Sequence, residues 1–517
     1  MRVSGRGISL RFALPPENAE RFAQRLDQQG GVAASSSASS TIYLDTAAFD
    51  FAASGMSFGI AREAQSGRRG WKRFVAPLSA TTPGAALHGF KRKLRDAADI
   101  LVVARAETQH RTWVLALGDD EAQLRLDNAK LHIDGREVAL ATVTCTSDAL
   151  DANLVHFIER ACQSDTLRLT GDSDAQSVYR LCGALPPYVT ASTPDLDAGM
   201  GAAQAFRVIA GNCLDQFLLN EAAIRATGDR EAVHQCRVAL RRLSACFGFF
   251  KAFADGADYR AQRQGLKKIN RHLGVARDLD ILIDDVIAPA LAVDPPPGAD
   301  ALMQELGARR AQAHADLAAA LDDPASAILF LRLAVWVQAG EWTRSADSKG
   351  IRRRSMPIAD YVQRKFKKLD RKFACRCATL EEATQEERHR TRIQAKNLRY
   401  DAEFLQSLAR RKAGRKRLRR FVDATKELQT VLGDWNDVAI ARGYLGILAA
   451  ETGEAGSMTR AGKAGKTNSP KRSALRAAAA EALVRRIEPA SETEFREKSA
   501  KAGKALAKLR PFWTRLV

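Results

Sequence analysis

Short runs of alternating apolar and polar residues occupy much of the first 150 positions. Residues 8–12, 41–45, 123–126 and 138–146 all follow this period of two. Because successive side chains of a strand point to opposite faces of a sheet, these runs predict strands that pair in antiparallel fashion. The N-terminal part is therefore expected to be an α+β domain.

Two local patterns interrupt the predicted strands. Pro15, Pro16 and Glu17 form a helix-start pattern, and Gly30 and Gly31 end the apolar periodicity that follows. This predicts a helix of about four turns. The Ala/Ser-rich stretch at 33–40 has low complexity, which predicts a flexible loop.

Helical periodicity takes over in the rest of the chain, where apolar residues recur at spacings of three and four. This pattern predicts about ten to twelve helices. Pro186, Pro187 and the glycines at 199 and 201 mark a linker. We therefore predict a β-rich domain at 1–190 and an all-α domain at 200–517, with a disordered, Gly/Ala/Lys-rich insertion at 451–470.

The charge is distributed unevenly between these two parts. Residues 1–200 contain 22 Lys and Arg against 23 Asp and Glu, whereas residues 201–517 contain 58 against 37. The whole positive excess of the chain, which has a net charge of +20, thus belongs to the helical part. Such a field concentrates anions, so nucleic acid, polyphosphate and anionic membrane surfaces are the candidate partners.

Cysteine usage and hydropathy restrict the compartment and the cofactors. The eight cysteines are scattered, and the spacing of Cys375 and Cys377 does not fit a zinc knuckle. We therefore expect reduced thiols, no metal and no other cofactor. No run approaches the roughly 20 apolar residues of a membrane span, and residues 1–12 lack the apolar core of a secretion leader. These features predict a cytoplasmic protein without a membrane partner.

An internal repeat is the most informative feature of the helical part. The segment from His234 to Leu243 resembles that from His389 to Tyr400, and Leu273-Gly274-x-x-x-Asp278 resembles Leu432-Gly433-x-x-x-Asp437. The two pairs are offset by 155 and 159 residues, in the same order. This indicates a duplicated helical unit, at about 200–350 and 355–517.

Helical projection places the cations of each copy on one face. With His234 at zero and about 100° per residue, Arg237 falls at about 300°, Arg241 at about 340° and Arg242 at about 80°. The apolar residues of this segment fall between about 120° and 240°. In the second copy, four residues lie on the same helix face as His389: Arg392, Lys396, Arg399 and Tyr400.

A charged face on one amphipathic helix is ordinarily just solvated. Crowding cations on one face destabilises a helix by about 0.2–0.5 kcal/mol per like-charged pair. Because the chain has this arrangement twice, a bound anion that relieves the repulsion is favoured. Other basic clusters could join the faces, although each alone is more often a solvated surface: Lys267, Lys268 and Arg271, and Lys501, Lys504 and Lys508.

The paired histidine and Leu-Gly motifs resemble the CHAD domain, the conserved-histidine α-helical domain, over about residues 200–515. The resemblance implies two pseudosymmetric four-helix bundles with a basic groove or pore that binds inorganic polyphosphate. The ligand residues that it implies are His234, Arg237, Arg241, Arg242, His389, Arg392, Lys396 and Arg399.

The N-terminal part resembles a CYTH, or triphosphate-tunnel, domain, which implies an antiparallel β-barrel-like fold. Residues 8–17, 43–46 and 55–58 carry this resemblance. Active members have a Glu-x-Glu-x-Lys signature on the first strand, but here Gly7-Ile8-Ser9-Leu10-Arg11 occupies that position. The aligned late strand, at 142–146, also lacks glutamates.

Without these carboxylates there is no oxygen cage for Mg²⁺ or Mn²⁺, so the domain is expected to be degenerate and without metal-dependent hydrolysis. The leading hypothesis is a non-catalytic, polyphosphate-binding protein associated with polyphosphate granules. A metal-dependent inorganic triphosphatase is the first alternative. A nucleic-acid-binding protein is the second, although Tyr400 is the sole aromatic residue on the basic faces.

Overall fold

The computed structural model describes residues 2–4, 7–28, 31–63, 72–78, 99–117, 120–344, 347–450, 470–486, 492–509 and 511–515. Of the predicted disordered insertion at 451–470, residues 451–469 lie outside the described residues, and Pro470 begins a helix.

One antiparallel sheet dominates the N-terminal part, as the alternating pattern predicted. The strands are Arg2–Ser4 (β1), Gly7–Leu14 (β2), Val32–Asp45 (β3), Met56–Glu63 (β4), Lys72–Pro77 (β5), Leu101–Leu117 (β6), Asp120–Ile133 (β7), Arg136–Ser147 (β8) and Arg168–Leu169 (β9). Their order is β1-β2-β8-β7-β6-β3-β4-β5, and β9 also pairs with β2. Within the described residues this order has two ends, so closure into a barrel stays a prediction.

The loop predicted at 33–40 is wrong, because this stretch belongs to β3. The stretch pairs with β6, as where Ser37 lies opposite His110, and its last two residues, Ser39 and Ser40, pair with β4 as well. Pairing with a neighbouring strand satisfies backbone groups whatever the composition of the stretch. Low complexity therefore did not indicate disorder here.

Four helices accompany the sheet in the described residues before 190. They are Ala19–Gln28 (α1), Asp50–Ala53 (α2), Ala152–Ser164 (α3) and Asp174–Leu181 (α4). The first is the helix predicted after Pro15, and a 3-10 turn at Pro16–Asn18 precedes it. Leu10, Phe12 and Leu14 of β2 are buried, and Arg11 lies on the opposite face of the strand. The strand therefore divides an apolar layer from a polar one.

Twelve α-helices follow in the described part of the chain, in agreement with the predicted number. They are Ala202–Thr227 (α5), Arg230–Ala254 (α6), Ala257–Ile281 (α7), Ala288–Val293 (α8), Ala299–Asp322 (α9), Pro324–Ala339 (α10), Ser348–Ser355 (α11), Ile358–Ala378 (α12), Gln385–Glu403 (α13), Lys412–Ala450 (α14), Pro470–Arg486 (α15) and Glu492–Ala507 (α16). A π-helical segment, Leu282–Ile287, joins α7 to α8. None of the described helices is long and apolar enough to cross a membrane.

Backbone contacts divide the chain into two compact units. The first comprises Met1–Thr190, Leu214–Cys236 and Leu321–Glu341. Within it, the rings of Phe217 and Phe330 stack at 4.4 Å. Two stretches of the helical part thus belong to the same unit as the sheet. The domain boundary at 190–200 stays a prediction.

The second unit comprises Ala191–Cys213, Arg237–Ala320 and Trp342–Val517. Eleven of its buried aromatic residues form two groups within the unit. They are Phe206, Phe247, Phe249, Phe250, Phe253, Trp342 and Tyr361, and Phe366, Phe421, Phe512 and Trp513. The rings of Phe249 and Phe366 connect the two groups, with their centres 5.7 Å apart, so α6 and α12 share one core.

Candidate anion-binding site

The first histidine motif contacts its Leu-Gly motif through an arginine. Arg237 of α6 donates from Nη1 to the carbonyl oxygen of Gly274 at 2.8 Å and to Asp278 Oδ1 at 3.0 Å, both on α7. A Cβ on Gly274 would lie 3.3 Å from that Nη1. The missing side chain therefore lets the guanidinium reach the helix backbone.

The second copy repeats this contact. The guanidinium of Arg392 on α13 lies close to Gly433 on α14. A Cβ added to Gly433 would lie 3.7 Å from Arg392 Nη2. One turn earlier, Gln429 Nε2 donates to the carbonyl oxygen of Ala395 at 3.2 Å. The motifs that are paired only by their order in the sequence are thus in contact in both copies.

Alanine at these two glycines is expected to have different effects on stability. At Gly433 the 3.7 Å distance is an ordinary van der Waals contact. Gly433→Ala should therefore raise the free energy of unfolding by about 0.5–1 kcal/mol through helix propensity. At Gly274 the Cβ would displace the guanidinium of Arg237 and cancel that gain. Urea unfolding of both variants measures this, and equal gains would contradict it.

Three guanidinium groups and one carboxylate make up the first cationic cluster, which we define as Arg237, Arg241 and Arg277 with Asp278. Burial lowers the pKa of Arg237, repulsion from Arg241 and Arg277 adds to this, and Asp278 acts in the opposite direction. Arginine nevertheless remains charged. The cluster therefore carries uncompensated positive charge that an anion would relieve.

Arg277 is a cation that helical projection did not assign to the site, because it belongs to α7 rather than to the histidine helix. Its Nε and Nη1 atoms are buried, and neither has an acceptor in the described part of the chain. Its position three residues after Gly274 was the available signal. Unpaired buried donors are rare in proteins, so they mark a place where a ligand oxygen would be stabilised.

The second cationic cluster consists of His389, Arg392 and Lys396, which follow one another at helical spacing on α13. His389 is exposed, and Arg392 and Lys396 are half-buried. His234, the histidine of the first copy, is also half-buried and lies three residues before Arg237 on α6. Each copy thus presents its cations at the same helical positions.

Arg399 and Tyr400 contact each other instead of standing open to a ligand. The guanidinium of Arg399 lies 4.7 Å from the ring centre of Tyr400, and its Nη1 lies 3.4 Å from Glu403 Oε1. Burial raises the pKa of Glu403, and Arg399 opposes this shift. Tyr400 is only 4% exposed, so its ring is not available for stacking on a base.

Arg242 lies apart from the exposed cations. It is 2% exposed and donates from Nη2 to the carbonyl oxygen of Ser192 and to Asn212 Oδ1, both at 2.9 Å. Its guanidinium carbon lies 5.3 Å from the ring centre of Phe404. These contacts join segments of the second unit, so we exclude Arg242 from the proposed ligand set.

The two additional basic triplets lie on exposed helix surfaces. Lys267, Lys268 and Arg271 are exposed on α7, Lys501 and Lys504 are exposed on α16, and Lys508 is exposed in the turn that follows α16. Lys504 Nζ lies 3.8 Å from Glu381 Oε2. Contacts among the described residues do not connect either triplet with the two cationic clusters.

Arg11 of β2 forms its contacts within the N-terminal domain. Arg11 donates to Thr142 Oγ1 at 3.2 Å and to the carboxylate of Asp174. The buried carboxylate of Asp45 accepts from three backbone N–H groups, of Thr46, Phe51 and Ala52. In the described ranges no group of three or more His, Cys, Asp or Glu side chains could hold a metal ion.

A hydroxyl, an imidazole and a carboxylate follow one another across three strands. Ser39 Oγ lies 2.7 Å from His110 Nε2, and His110 Nδ1 lies 2.6 Å from Asp127 Oδ1. Arg125 also donates to Asp127 at 2.6 Å, and its Nη2 lies 2.9 Å from His110 Nδ1. A general base needs Nδ1–H directed at the carboxylate. Because Arg125 competes for both partners, the arrangement favours a polar cross-strand network over a catalytic triad.

Comparison with known proteins identifies the helical part. The family model of the CHAD domain matches residues 208–446. Among solved structures, the CHAD domain from the plant Ricinus communis is 26% identical, with a TM-score of 0.49, and the match covers 62% of this chain and 97% of that one.

The sheet has more distant neighbours. A putative adenylyl cyclase from Hippeastrum, described as having a dominant triphosphatase activity, is 12% identical with a TM-score of 0.22, and the match covers 35% of this chain and 98% of that one. A putative adenylate cyclase from Bacillus halodurans is 11% identical with a TM-score of 0.17, and the match covers 35% and 92%. TM-scores this low do not establish a shared fold, so the CYTH-like resemblance stays a prediction. No curated protein matches the chain.

The matched segment includes both histidine motifs, both Leu-Gly motifs and both arginine-glycine contacts. The predicted resemblance is thus confirmed over residues 208–446, which form a CHAD domain.

Proposed function

We propose that the helical part binds inorganic polyphosphate without catalysis, through the two cationic clusters. The observation that carries this proposal is the duplicated contact of Arg237 with Gly274 and of Arg392 with Gly433. In each copy the contact positions an arginine beside further cations at helical spacing. The two clusters lie on different helices, so a linear polymer with a charge on every phosphate suits them better than a single compact anion does.

The chemistry of the side chains supports this ligand class. Arginine donates two parallel hydrogen bonds to phosphate oxygens, and such charge-assisted bonds are stronger than neutral ones. Polyphosphate has no bases, so its recognition requires no stacking platform. The burial of Tyr400, the sole aromatic residue of the predicted faces, removes the platform that a single-stranded nucleic acid would use. This favours polyphosphate over RNA or DNA.

Binding is expected to weaken steeply with salt. If the five Lys and Arg side chains of the two clusters each release about one counterion, the slope of log affinity against log salt is about −3.5, as for single-stranded polyanions. Raising the salt from about 0.1 M to about 0.3 M should then weaken binding about 50-fold. Titration calorimetry with polyphosphates of defined length measures both the slope and the length at which affinity reaches its plateau. A slope near zero would contradict the proposal.

Competition decides between polyphosphate and nucleic acid. Long-chain polyphosphate and single-stranded DNA or RNA are added at equal phosphate concentration at about 0.15 M salt. Displacement of polyphosphate by nucleic acid would favour the nucleic-acid-binding alternative. A cytoplasmic location on polyphosphate granules follows from the proposal, and imaging of a fluorescent fusion tests it.

The triphosphatase alternative rests on the sheet and has a separate test. Phosphate release from tripolyphosphate with Mg²⁺ or Mn²⁺ should stay at the level of the buffer, because Arg11 is paired with Asp174 and the strand carries no carboxylate at the signature positions. Sustained turnover would establish this alternative instead.

A further inference from the structure

A cavity of about 390 Å³ opens between α6, α12 and α13, entirely within the second unit. Its charged lining residues are Lys365, Lys372, Arg376, Arg390 and Asp401. Sites for small molecules typically have volumes of about 300–1,000 Å³. The cavity is therefore large enough for a compact ligand.

This cavity lies on a different side of α13 from the second cationic cluster. With His389 at zero and about 100° per residue, Arg390 and Asp401 fall at about 100° and 120°. Arg392 and Lys396 fall at about 300° and 340°. Roughly 120–180° of helix surface therefore separates the two sets of side chains. A ligand in the cavity would not use the second cationic cluster.

The cations of the cavity are only partly compensated. Arg390 pairs with Glu386, and Arg376 donates to the uncharged Gln394 Oε1 at 2.6 Å. Lys365 Nζ donates to the carbonyl oxygen of Gly248 at 3.1 Å, and burial lowers the pKa of this lysine. Neither Lys365 nor Lys372 forms an ion pair with a described residue. The lining thus favours an anion.

Asp401 supplies the second, independent indication of a ligand. It is 4% exposed, lines the cavity, and has no hydrogen-bond partner for Oδ1 in the described part of the chain. Burial raises the pKa of this carboxyl well above its ordinary value, and Lys365 opposes the shift. A protonated carboxyl is a hydrogen-bond donor. It can therefore donate to the same anion that the lysines attract.

We propose that this cavity is a second binding site, specific for a short phosphate anion such as pyrophosphate, held by Lys365, Lys372 and Arg376, with Asp401 donating to a phosphate oxygen. The site is independent of the polyphosphate proposal, because it shares no residue with the cationic clusters. Short anions would bind here with a stoichiometry of one, whereas long chains require the clusters.

Titration calorimetry of the full chain with inorganic pyrophosphate tests this site. Lys372→Ala combined with Arg376→Ala should weaken binding at least about 10-fold. The matched control is Lys367→Ala with Arg371→Ala, which removes the same charge from exposed positions of α12 outside the cavity. The control should stay within about twofold of the parent chain.

Two further variants secure the interpretation. Lys372→Glu, a single change at an exposed residue, should abolish pyrophosphate binding even if the double variant folds poorly. Asp401→Asn keeps a donor and should retain binding within about threefold, whereas Asp401→Ala should lose about 10-fold. Binding that the cavity variants leave unchanged, or no binding at about 1 mM pyrophosphate, would overturn the proposal.

The polyphosphate proposal fails separately from this one. Alanine variants of the cationic clusters should leave pyrophosphate affinity within about twofold. If those variants abolished pyrophosphate binding and the cavity variants did not, the anion would be assigned to the clusters and the cavity site rejected.

Discussion

The affinity for long-chain polyphosphate is expected to fall at least about 100-fold when four cations of the two clusters become alanine. The four residues are Arg237, Arg241, Arg392 and Lys396. Each charge-assisted contact with phosphate at such half-buried positions contributes about 1 kcal/mol, so together they amount to about 4 kcal/mol. Titration calorimetry at about 0.15 M salt measures the loss, and the salt slope should become shallower by about 3.

A control with the same change in net charge separates the clusters from the general field of the protein. It replaces four cations whose side chains are 56–74% exposed and that already pair with a neighbouring acid: Lys251, Arg260, Arg485 and Lys498. Its affinity should stay within about fivefold of the parent, because only long-range attraction is lost. Equal losses in the two variants would mean that binding is diffuse and that the clusters are not a site.

The structural contacts of Arg237 require one additional check. Because Arg237 bonds to Gly274 and Asp278, its removal affects stability as well as binding. Thermal unfolding of the variant should therefore accompany the titration. A milder variant, Arg241→Ala with Lys396→Ala, keeps both arginine-glycine contacts and should still lose about 10-fold in affinity.

Replacement of Arg242 by methionine is expected to cost about 3 kcal/mol of unfolding free energy while leaving polyphosphate affinity nearly unchanged. The substitution leaves the carbonyl oxygen of Ser192 and Asn212 Oδ1 without their donor, and each buried acceptor without a partner costs about 1–3 kcal/mol. It also removes the cation above the ring of Phe404. Urea unfolding measures the first effect and calorimetry of the folded variant the second.

The opposite result would restore the ligand role that the family resemblance implied for Arg242. That result is a stability change below about 1 kcal/mol together with a 10-fold loss of affinity. Arg241→Met is the matched control, because Arg241 is adjacent in sequence, is less buried, and lies in the first cationic cluster. It should show the reverse pattern, with lost affinity and little lost stability.

The contrast between Arg241 and Arg242 shows where helical projection fails. A wheel assigns one apolar face to a helix and treats the remaining surface as solvated. Arg242 lies at about 80° from His234 on that wheel, next to the cations. In the structure this flank of α6 contacts the segment at Ser192 and the aromatic ring of Phe404, which buries the guanidinium. Tyr400, predicted on the basic face, is buried likewise.

Local periodicity, composition and internal similarity were enough to predict an antiparallel sheet, about ten to twelve following helices, a charge excess confined to the second part, and a duplicated motif that belongs to the CHAD domain. These features are local because they depend on strand and helix geometry or on the order of residues. These local features could not predict that the Ala/Ser-rich stretch forms a strand, because that depends on its pairing with β6 and, at its end, with β4.

The contact of Arg237 with Gly274, the burial of Arg242 and the cavity lined by Lys365 and Asp401 required the folded chain. Each joins residues that lie 36 to 162 positions apart, and the choice among possible neighbours is made by packing over the whole core. Two adjacent arginines on the same helix therefore have different roles. Arg241 is a candidate ligand residue, whereas Arg242 is buried and stabilises the fold.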